Sequence, residues 1–548
     1  MTVISTKVAG DRIGSAEMNA LLNKVQNGTD FDVNIRPGTV ASAIYPTGFT
    51  QTRVQNAINT INSTGGEVIL PPGTYTMATN TTFSTKVGLR RMNGAILSVQ
   101  TGITVTINGP FISPLSQAFS LVGTGVVAFG SGAVKEFYPQ WWGAKGDGVT
   151  DDRAAIQAAI DAVPNSGGTV YFQMADYYIG SALTVPALTG GASQAAVRLW
   201  AARGTRFLCN VSSGSYVLTI ALNAIRGPII DGIRFVWQSG ITSCIGFTGS
   251  LTGGVRLTRC DIVGFTTIGF DDSGSRLNDF IADDCAFVSC GVGTKAYSVG
   301  ISEWRGCAWN TCTSGLQVGP SSVHYLFACN MSGCTKNVDY ADAASNNVTI
   351  SILGGSFDVA GGGNPMFVKS GAGQPTFIGM AEGFYIQGTG AGAPTYFDFS
   401  NHGRGVYSLR NIFMNQGGLS GTLDLGNALA NQVVLDGLWF NGTLAIVLNG
   451  VSQTIVAGDV NSYISHLATN FPLQFTITVG ASPSTWTNLT GIPVMVTVQG
   501  GTVSKVEHLR AGTSIDIGAT GGTVFAAHRD SIVITYTVAP TVKGIPMG

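Results

Sequence analysis

The spacing of apolar residues changes from helical to strand-like around a Gly-Gly pair at positions 167–168. Ile156, Ile160 and Val163 recur every three or four positions, which predicts a short amphipathic helix. Thr150–Asp152 precede it, and their side-chain oxygens can accept hydrogen bonds from the free N–H groups of a first helical turn. After the glycines, the run Thr169–Phe172 has the composition of a strand. The sequence therefore predicts a capped helix, a glycine turn and a strand, in that order.

A second copy of this unit precedes the first. Residues 57–75 align without gaps on residues 159–177 at a constant offset of 102, and the match includes the Gly-Gly pair and a tyrosine, Tyr75 or Tyr177. Two unrelated amphipathic helices, each ended by two glycines, are the alternative. We interpret the match as a small β-rich module that partly imitates the main one.

The cysteines follow a regular period. Each pair is separated by five positions and successive pairs by 22, namely Cys285 and Cys290, Cys307 and Cys312, and Cys329 and Cys334. One coil of a parallel β-solenoid has about this length, and equivalent residues stack at a strand spacing of about 4.8 Å. We expect two columns of buried, reduced thiols. Metal binding and disulfides are the alternatives, but no histidines cluster here.

This register predicts the direction of the other side chains, because neighbours along a strand point to opposite faces. The residues expected to point inward are Ile262, Phe287, Trp309, Met331 and Phe357. The residues expected to point outward form two columns, Thr258, Asp283, Arg305, Phe327 and Leu353, and Arg256, Ile281, Glu303, Tyr325 and Ser351. The cysteine column is expected to continue through Gly355, Glu382, Asn411 and Asp436.

The segment Trp141–Asp152 contains a Gly-Asp-Gly-x-x-Asp-Asp turn ahead of the predicted helix. It resembles the entry to the right-handed parallel β-helix of the pectate-lyase-like superfamily, and specifically its phage tailspike and capsular polysaccharide depolymerase branch. The resemblance implies an all-β fold in which the short helix caps the open end of the solenoid.

Four domains are expected. Residues 1–40 include a predicted short helix at Ser15–Val25 with one apolar face, and the resemblance implies a tail-anchoring role for this segment. Residues 41–135 form the small β-rich module, and 136–450 form the β-helix with a polysaccharide groove. From 451 to 548, short alternating runs predict an antiparallel β domain. The resemblance implies that this domain holds three chains together as a homotrimer.

The amino-acid composition limits the classes of partner that this chain is expected to bind. Charged residues are 11% of the chain, against roughly 25% in an average soluble protein. The 29 basic and 30 acidic residues give a net charge of −1, so we expect no nucleic-acid partner. No uncharged apolar run approaches the roughly 20 residues that a spanning helix needs, so we expect no membrane insertion. The N-terminus lacks the apolar core of a secretion signal. We expect synthesis in the host cytoplasm and a place in the virion tail.

The predicted outward face carries the candidate chemistry. Asp283 and Glu303 are expected on adjacent coils about 7–8 Å apart, the spacing of a glycosidase that inverts configuration. Arg305 is expected over Asp283, which would make Asp283 the base and Glu303 the acid. An ordinary exposed ion network is the alternative. Glu382 is a further catalytic candidate, and the candidate substrate-binding residues are Arg305, Arg256 and Tyr325.

The resemblance and these residues together predict a tailspike that binds a bacterial capsule or O-antigen and cleaves it by glycosidic hydrolysis, without a metal or cofactor. A polysaccharide lyase is the first alternative, with His324 and the His402–Arg404 segment as possible sources of its base and its positive charge. A receptor-binding fibre that does not cut the polysaccharide is the second. We expect attachment to the phage tail or baseplate through the N-terminus.

Overall fold

The computed structural model describes residues 31–33, 42–46, 49–188, 196–224, 227–251, 254–273, 277, 279–297, 300–319, 322–340, 348–360, 366–369, 376–383, 385–389, 395–398, 404–424, 431–436, 438–448, 451–456, 462–464, 467–469, 475–488, 493–510, 512–517, 520–527 and 529–546. The predicted helix at Ser15–Val25 lies outside the described residues, as does most of the predicted anchoring segment 1–40.

The fold is all-β, a parallel β-solenoid of about 11 turns with antiparallel sheets near the C-terminus, as the sequence predicts. The chain divides into two units, residues 1–279 and 280–548.

The described residues of the first unit include the helices α1 (Gln51–Ile61) and α2 (Arg153–Asp161) and a 3-10 helix at Pro139–Trp142. Its strands are β1 (Phe31–Val33), β2 (Ser42–Tyr45), β3 (Gly66–Leu70), β4 (Gly73–Met77), β5 (Thr81–Phe83), β6 (Val87–Arg91), β7 (Ala95–Val99), β8 (Thr104–Ile107), β9 (Phe111–Ile112), β10 (Phe119–Leu121), β11 (Val126–Phe129), β12 (Glu136–Phe137), β13 (Asp147–Asp151), β14 (Gly168–Phe172), β15 (Asp176–Ile179), β16 (Leu183–Val185), β17 (Val197–Ala201), β18 (Arg206–Val211), β19 (Leu218–Ala224), β20 (Ile229–Asp231), β21 (Arg234–Gly240), β22 (Ser243–Leu251), β23 (Val255–Thr258), β24 (Asp261–Val263) and β25 (Ile268–Asp271).

The repeat at an offset of 102 is structural. Both α1 and α2 precede a strand that starts at the second glycine of the pair, β3 and β14. Tyr75 and Tyr177 are both buried, and each hydroxyl donates to the carbonyl four residues earlier, over 3.0 Å and 3.3 Å. Strands β3 to β11 form three coils of short parallel strands, so residues 66–129 are themselves a small solenoid.

The Gly-Asp-Gly turn differs in detail from the prediction. Asp151 lies before the N-cap residue, and its Oδ1 accepts from the N–H of Arg153, the first residue of the helix, over 3.0 Å. Asp152 is buried and instead accepts from the N–H groups of Lys145 and Gly146, at 2.6 Å and 3.0 Å. The Thr150 hydroxyl donates to Asp147 over 2.8 Å. Two of the three expected capping side chains therefore stabilise the turn rather than the helix.

The strands of the second unit begin with one that spans the division. They are β26 (Asp279–Asp283), β27 (Ala286–Val288), β28 (Val292–Ala296), β29 (Ile301–Arg305), β30 (Ala308–Asn310), β31 (Ser314–Val318), β32 (Ser322–Ser332), β33 (Lys336–Tyr340), β34 (Val348–Ala360), β35 (Phe367–Lys369), β36 (Thr376–Glu382), β37 (Tyr385–Thr389), β38 (Thr395–Asp398), β39 (Arg404–Arg410), β40 (Phe413–Asp424), β41 (Asn431–Asp436), β42 (Leu438–Leu448), β43 (Val451–Val456), β44 (Ser462–Ile464), β45 (Leu467–Thr469), β46 (Phe475–Ile477), β47 (Ser484–Thr487), β48 (Val494–Gln499), β49 (Thr502–Arg510), β50 (Thr513–Asp516), β51 (Gly522–Ala526), β52 (Ser531–Val538) and β53 (Thr541–Pro546).

Two left-handed bends in each coil explain the spacing of the cysteines. Asp284 and Ser289 both have a φ of 53°, and Cys285 and Cys290 follow them. The next coils repeat these bends at the residues before Cys307, Cys312, Cys329 and Cys334. In these three coils the bends are five residues apart, and the residue after each bend is a buried cysteine.

The predicted thiol columns are confirmed, since all nine cysteines are free and buried. The Sγ atoms of Cys307 and Cys329 donate to carbonyls 25 residues earlier, those of Ala282 and Trp304, over 3.5 Å and 3.3 Å. In the first unit, burial raises the pKa of the Cys209 and Cys244 thiols. Cys209 and Cys244 are therefore core residues with little thiolate character.

Residues 475–546 form two four-stranded antiparallel sheets, β46-β53-β48-β51 and β47-β52-β49-β50. Alternate valine and isoleucine side chains of both sheets fill one core. Asp530 is buried beside this core and accepts from His508 Nε2 and Arg510 Nη2, both at 2.8 Å. The hydrogen bond from the Arg510 guanidinium, together with those from His508 and the Ala527 N–H, holds the pKa of Asp530 well below its usual range.

Candidate functional site

The predicted outward columns of the second unit have the expected register. Glu303 pairs with Tyr325, and Arg305 with Phe327, where β29 and β32 run in parallel. The alternate residues, which include Trp304 and His324, are fully buried. Glu303 and Arg305 therefore lie on the outer face of the coil.

Asp283 occupies the position before Arg305 in the same column. The Asp284 N–H donates to the Arg305 carbonyl over 2.8 Å. One coil later, the Gly306 N–H makes the same bond to Phe327 over 2.9 Å, where Arg305 pairs with Phe327. The two candidate carboxylates therefore lie on adjacent strands, offset by two residues.

The partner of Arg305 differs from the prediction. The Arg305 guanidinium forms an ion pair with Glu303 on its own strand, not with Asp283. Residues two apart on a strand share a face at about 6.6 Å, so a long arginine side chain reaches either partner. The ion pair therefore gives no support to Asp283 as the base. Both side chains of the ion pair are accessible, 48% for Arg305 and 29% for Glu303.

An aromatic surface follows the ion pair along the solenoid. The half-buried rings of Tyr325 and Phe327 are nearly parallel, with centroids 6.3 Å apart and planes 15° apart. Aromatic faces beside charged groups can stack against the apolar face of a sugar ring while its hydroxyls are hydrogen-bonded. The arrangement of acid, arginine and aromatic residues is suited to a carbohydrate.

Glu382 is not where the sequence places it. Gly355 pairs with Cys329 as predicted, but Glu382 pairs with Leu353 and Arg410, so it lies in the outward column rather than the cysteine column. Asp436 likewise pairs with Arg410. The prediction aligned polar residues and was wrong by two positions for Glu382.

The signal that fixes the register is the left-handed bend after each outward residue. Gly354, Gly383 and Asn411 occupy it with φ of 71°, 68° and 52°. Glycine and asparagine are the residues that tolerate this conformation, so aligning them recovers the true column.

Arg256 belongs to the first unit. It is an exposed residue of β23 and pairs with Ile229 of β20. The same unit contains an ion cluster formed by Arg198, Asp231 and Arg259, which no motif of the sequence indicated.

His324 cannot serve as an accessible base. It is fully buried, and burial lowers its pKa to about 3. The Ser322 hydroxyl donates its proton to the Gly319 carbonyl over 2.6 Å. In the 2.8 Å contact between the Ser322 oxygen and His324 Nε2, the donor is therefore the His324 N–H. His402, the other predicted histidine, lies outside the described residues.

Within the described part of the chain, no three histidine, cysteine or acidic side chains lie close enough to hold a metal ion. No helix among those residues has the length and apolar character needed to cross a membrane.

Comparison with known proteins agrees with the class indicated by the Gly-Asp-Gly turn. Residues 140–194 match the family model of rhamnogalacturonase A/epimerase, pectate lyase-like. The predicted pectate-lyase-like resemblance is thereby confirmed.

Two curated relatives match parts of the chain. A stretch of 161 residues is 30% identical to a capsule-specific depolymerase of Klebsiella phage K5-2, covering 26% of this chain and 19% of that protein. A stretch of 50 residues is 54% identical to a mannuronan C5-epimerase of Azotobacter vinelandii, covering 9% of this chain and 8% of that enzyme. The chain thus spans less than a fifth of these relatives.

Solved structures with a similar trace include phage tailspikes. The tailspike of Escherichia coli bacteriophage HK620 aligns over 96% of this chain and 99% of that one, at 11% identity and a TM-score of 0.39. A capsular polysaccharide depolymerase tailspike of Acinetobacter baumannii bacteriophage Fri1 covers 75% and 85%, at 10% identity and a TM-score of 0.32.

Proposed function

We propose that this chain is a phage tailspike that binds a bacterial surface polysaccharide, capsule or O-antigen, and depolymerises it by glycosidic hydrolysis. One observation carries the proposal: two outward carboxylates, Asp283 and Glu303, on adjacent coils beside an arginine and two aromatic rings. The partial match to a capsule-specific depolymerase supports the substrate class.

The proposed mechanism is inverting hydrolysis. Diagonal neighbours on adjacent strands are about 7–8 Å apart, which leaves room for a water molecule between carboxylate and sugar. A general base works as the charged carboxylate, and Arg305 lies beside Glu303 rather than Asp283. We therefore place the base at Glu303 and the acid at Asp283, the reverse of the order inferred from the sequence.

Azide distinguishes the two roles. Glu303→Ala should lose activity, and azide should restore part of it by replacing the activated water, with formation of a glycosyl azide of inverted configuration. Asp283→Ala should not be rescued, since azide cannot protonate a leaving oxygen. Rescue of Asp283→Ala alone would restore the original assignment.

Glu382 is the third proposed catalytic candidate. It lies in the Asp283 column, and the Asn411 side-chain amide donates to its Oε1 over 3.4 Å. If neither Asp283→Asn nor Glu303→Gln impairs cleavage, Glu382→Gln should. The proposed substrate contacts are Arg305, Tyr325 and Arg256.

The test of the overall function is the appearance of reducing ends when the purified chain meets capsule or O-antigen of a panel of bacteria. Hydrolysis gives reducing ends without new ultraviolet absorbance. A receptor-binding fibre would bind and release no ends at all.

A lyase is the second candidate function, favoured by the match of residues 140–194 to a pectate-lyase-like model and by the epimerase relative. β-Elimination would give an unsaturated uronate that absorbs in the ultraviolet. The burial of His324 removes the base that the sequence offered for this route.

We further propose a homotrimer in the virion tail, joined by residues 451–548 and attached to the tail or baseplate through residues 1–40. Exposed apolar side chains of the C-terminal sheets, Ile515, Phe525 and Val538, support a contact with other chains. Light scattering should give three times the chain mass. A truncation after residue 450 should be less stable, and an equally stable monomer would contradict the proposal.

A further inference from the structure

Three aromatic rings form a continuous column on the outer face of the first unit. Tyr171 pairs with Trp200 where β14 and β17 run in parallel, and Tyr138 directly follows β12, which pairs with β14. The ring centroids are 5.5 Å apart for Tyr138 and Tyr171, and 4.8 Å apart for Tyr171 and Trp200. All three rings are partly exposed. They present an apolar surface about three strands wide, which is roughly 10 Å.

A buried carboxylate extends this column and fixes two arginines. Asp231 pairs with Trp200 in the next coil, and its side chain is only 5% exposed. Arg198 Nη2 donates to Asp231 Oδ2 over 2.8 Å, and Arg259 Nε donates to Oδ1 over 3.0 Å. The arginine side chains themselves are 43% and 54% exposed. Two accessible cations on one buried anion leave a net positive charge.

The guanidinium of Arg198 also contacts the aromatic column, with its carbon 5.6 Å from the centroid of the Trp200 ring. Ile229 pairs with Arg198 in the coil before it and with Arg256 in the coil after it. The two arginines therefore belong to one column, which runs beside the aromatic column. Among the described residues, no carboxylate forms an ion pair with Arg256. The same column begins at Glu136, whose carboxylate accepts a hydrogen bond from the Tyr138 hydroxyl, so the positive charge is concentrated at the end formed by Arg198 and Arg256.

We infer that Tyr138, Tyr171, Trp200, Arg198 and Arg256, named here the aromatic–arginine platform, bind an acidic polysaccharide. Sugar rings would pack on the aromatic column, and carboxylate groups of uronic-acid residues would pair with Arg198 and Arg256. A neutral glycan would offer no carboxylate to the exposed charge of Arg256 or to the net positive charge of the Arg198–Asp231–Arg259 cluster. The inference names the substrate class and rests on the proposed handling of polysaccharide, but it does not require cleavage by this chain.

Binding is measured by calorimetry on the full chain, with polygalacturonate and hyaluronate oligomers as acidic probes, dextran as the neutral control and an oligothymidylate as the nucleic-acid control. We expect an acidic probe to bind, and to bind more weakly as salt is raised, since exposed charge pairs are screened. Trp200→Ala should weaken binding by about tenfold. Trp200→Phe keeps an aromatic ring and should bind more tightly than Trp200→Ala. That result would show that the weaker binding of Trp200→Ala is not caused by misfolding.

Arg256→Gln should weaken binding by roughly fivefold and reduce its salt dependence. The matched control is Arg90→Gln, which removes an exposed arginine paired with Glu67 in the small N-terminal solenoid and should change nothing. Failure of both acidic probes to bind, equal binding of dextran, stronger binding of the oligothymidylate, or an unaffected Arg256→Gln would each overturn the inference. Binding without release of reducing ends from any capsule or O-antigen of the panel would instead leave it standing and contradict only the proposed hydrolysis.

Discussion

The inner and outer faces of the coils in the second unit follow different rules. Inside, one column consists of Phe287, Trp309, Met331 and Phe357, all fully buried and stacked in register. Outside, successive coils place unrelated side chains in one column, namely Asp283, Arg305, Phe327, Leu353 and Glu382.

The difference reflects what each face must satisfy. An inner side chain must fill a fixed volume between its neighbours in the coils before and after it. An outer side chain meets solvent or a ligand, so neighbouring coils can carry unrelated groups. Inner substitutions should therefore change stability and leave chemistry intact, and outer substitutions should do the reverse.

The largest effect is expected inside. Trp309 stacks on Phe287 with centroids 5.7 Å apart, and its Nε1 donates to Thr294 Oγ1 over 3.1 Å. Trp309→Ala should cost about 3–5 kcal/mol by leaving a cavity. Thermal unfolding should show a clear drop, while cleavage at low temperature stays near the wild-type rate. A folded variant with lost activity would break the distinction between the two faces.

The register of the inner face is also what the sequence predicts best. The cysteine period and the inward positions from Phe287 to Phe357 are correct because packing repeats with each coil. The partner of Arg305 is not predictable in this way, since spacing fixes where an outer side chain starts but not which neighbour it reaches. The platform around Asp231 has no fixed spacing in the sequence and emerges only from the register of its strands.

The next effect is expected outside. Glu303→Gln should reduce turnover by about a hundredfold or more, the scale expected for removing a general acid or base. Its unfolding midpoint should hardly change, because an accessible ion pair contributes about 0–1 kcal/mol. Glu67→Gln, which removes the acid of the Arg90 ion pair, is the matched control. A wild-type rate in Glu303→Gln would remove this residue from the mechanism.

A pH dependence of stability should arise from a histidine of the inner face. His324 has a pKa of about 3 when folded, so below about 6.5 the unfolded chain binds a proton that the folded chain does not. The stability from this residue is present at neutral pH and is lost as pH falls from about 6.5 towards 3. Between pH 6.5 and 5 the loss should be about 1.5 kcal/mol.

His324→Leu should lack this component of the pH dependence in denaturant unfolding, even if it is less stable at every pH. The carboxylates that titrate over part of the same range are unchanged in the variant, so they serve as an internal reference. An unchanged slope between pH 6.5 and 5 would show that His324 is not protonated on unfolding, and would contradict the expectation.

The smallest effect is expected at the bends that join the two faces. Gly306 and Ala328 occupy equivalent left-handed positions in successive coils, with φ of 59° and 51°. A side chain is unfavourable in this region by roughly 1–2 kcal/mol, partly offset by the greater freedom of glycine in the unfolded chain. Gly306→Ala should therefore lower the free energy of unfolding by about 1 kcal/mol, although an added Cβ would meet no atom within 4 Å.

Ala328→Gly should raise the free energy of unfolding by a few tenths of a kcal/mol. Ala308→Gly, at an ordinary strand position of β30, should have the opposite sign and cost about 0.5–1 kcal/mol. Unfolding measurements in which Ala328→Gly and Ala308→Gly destabilise equally would mean that the bends do not determine the register.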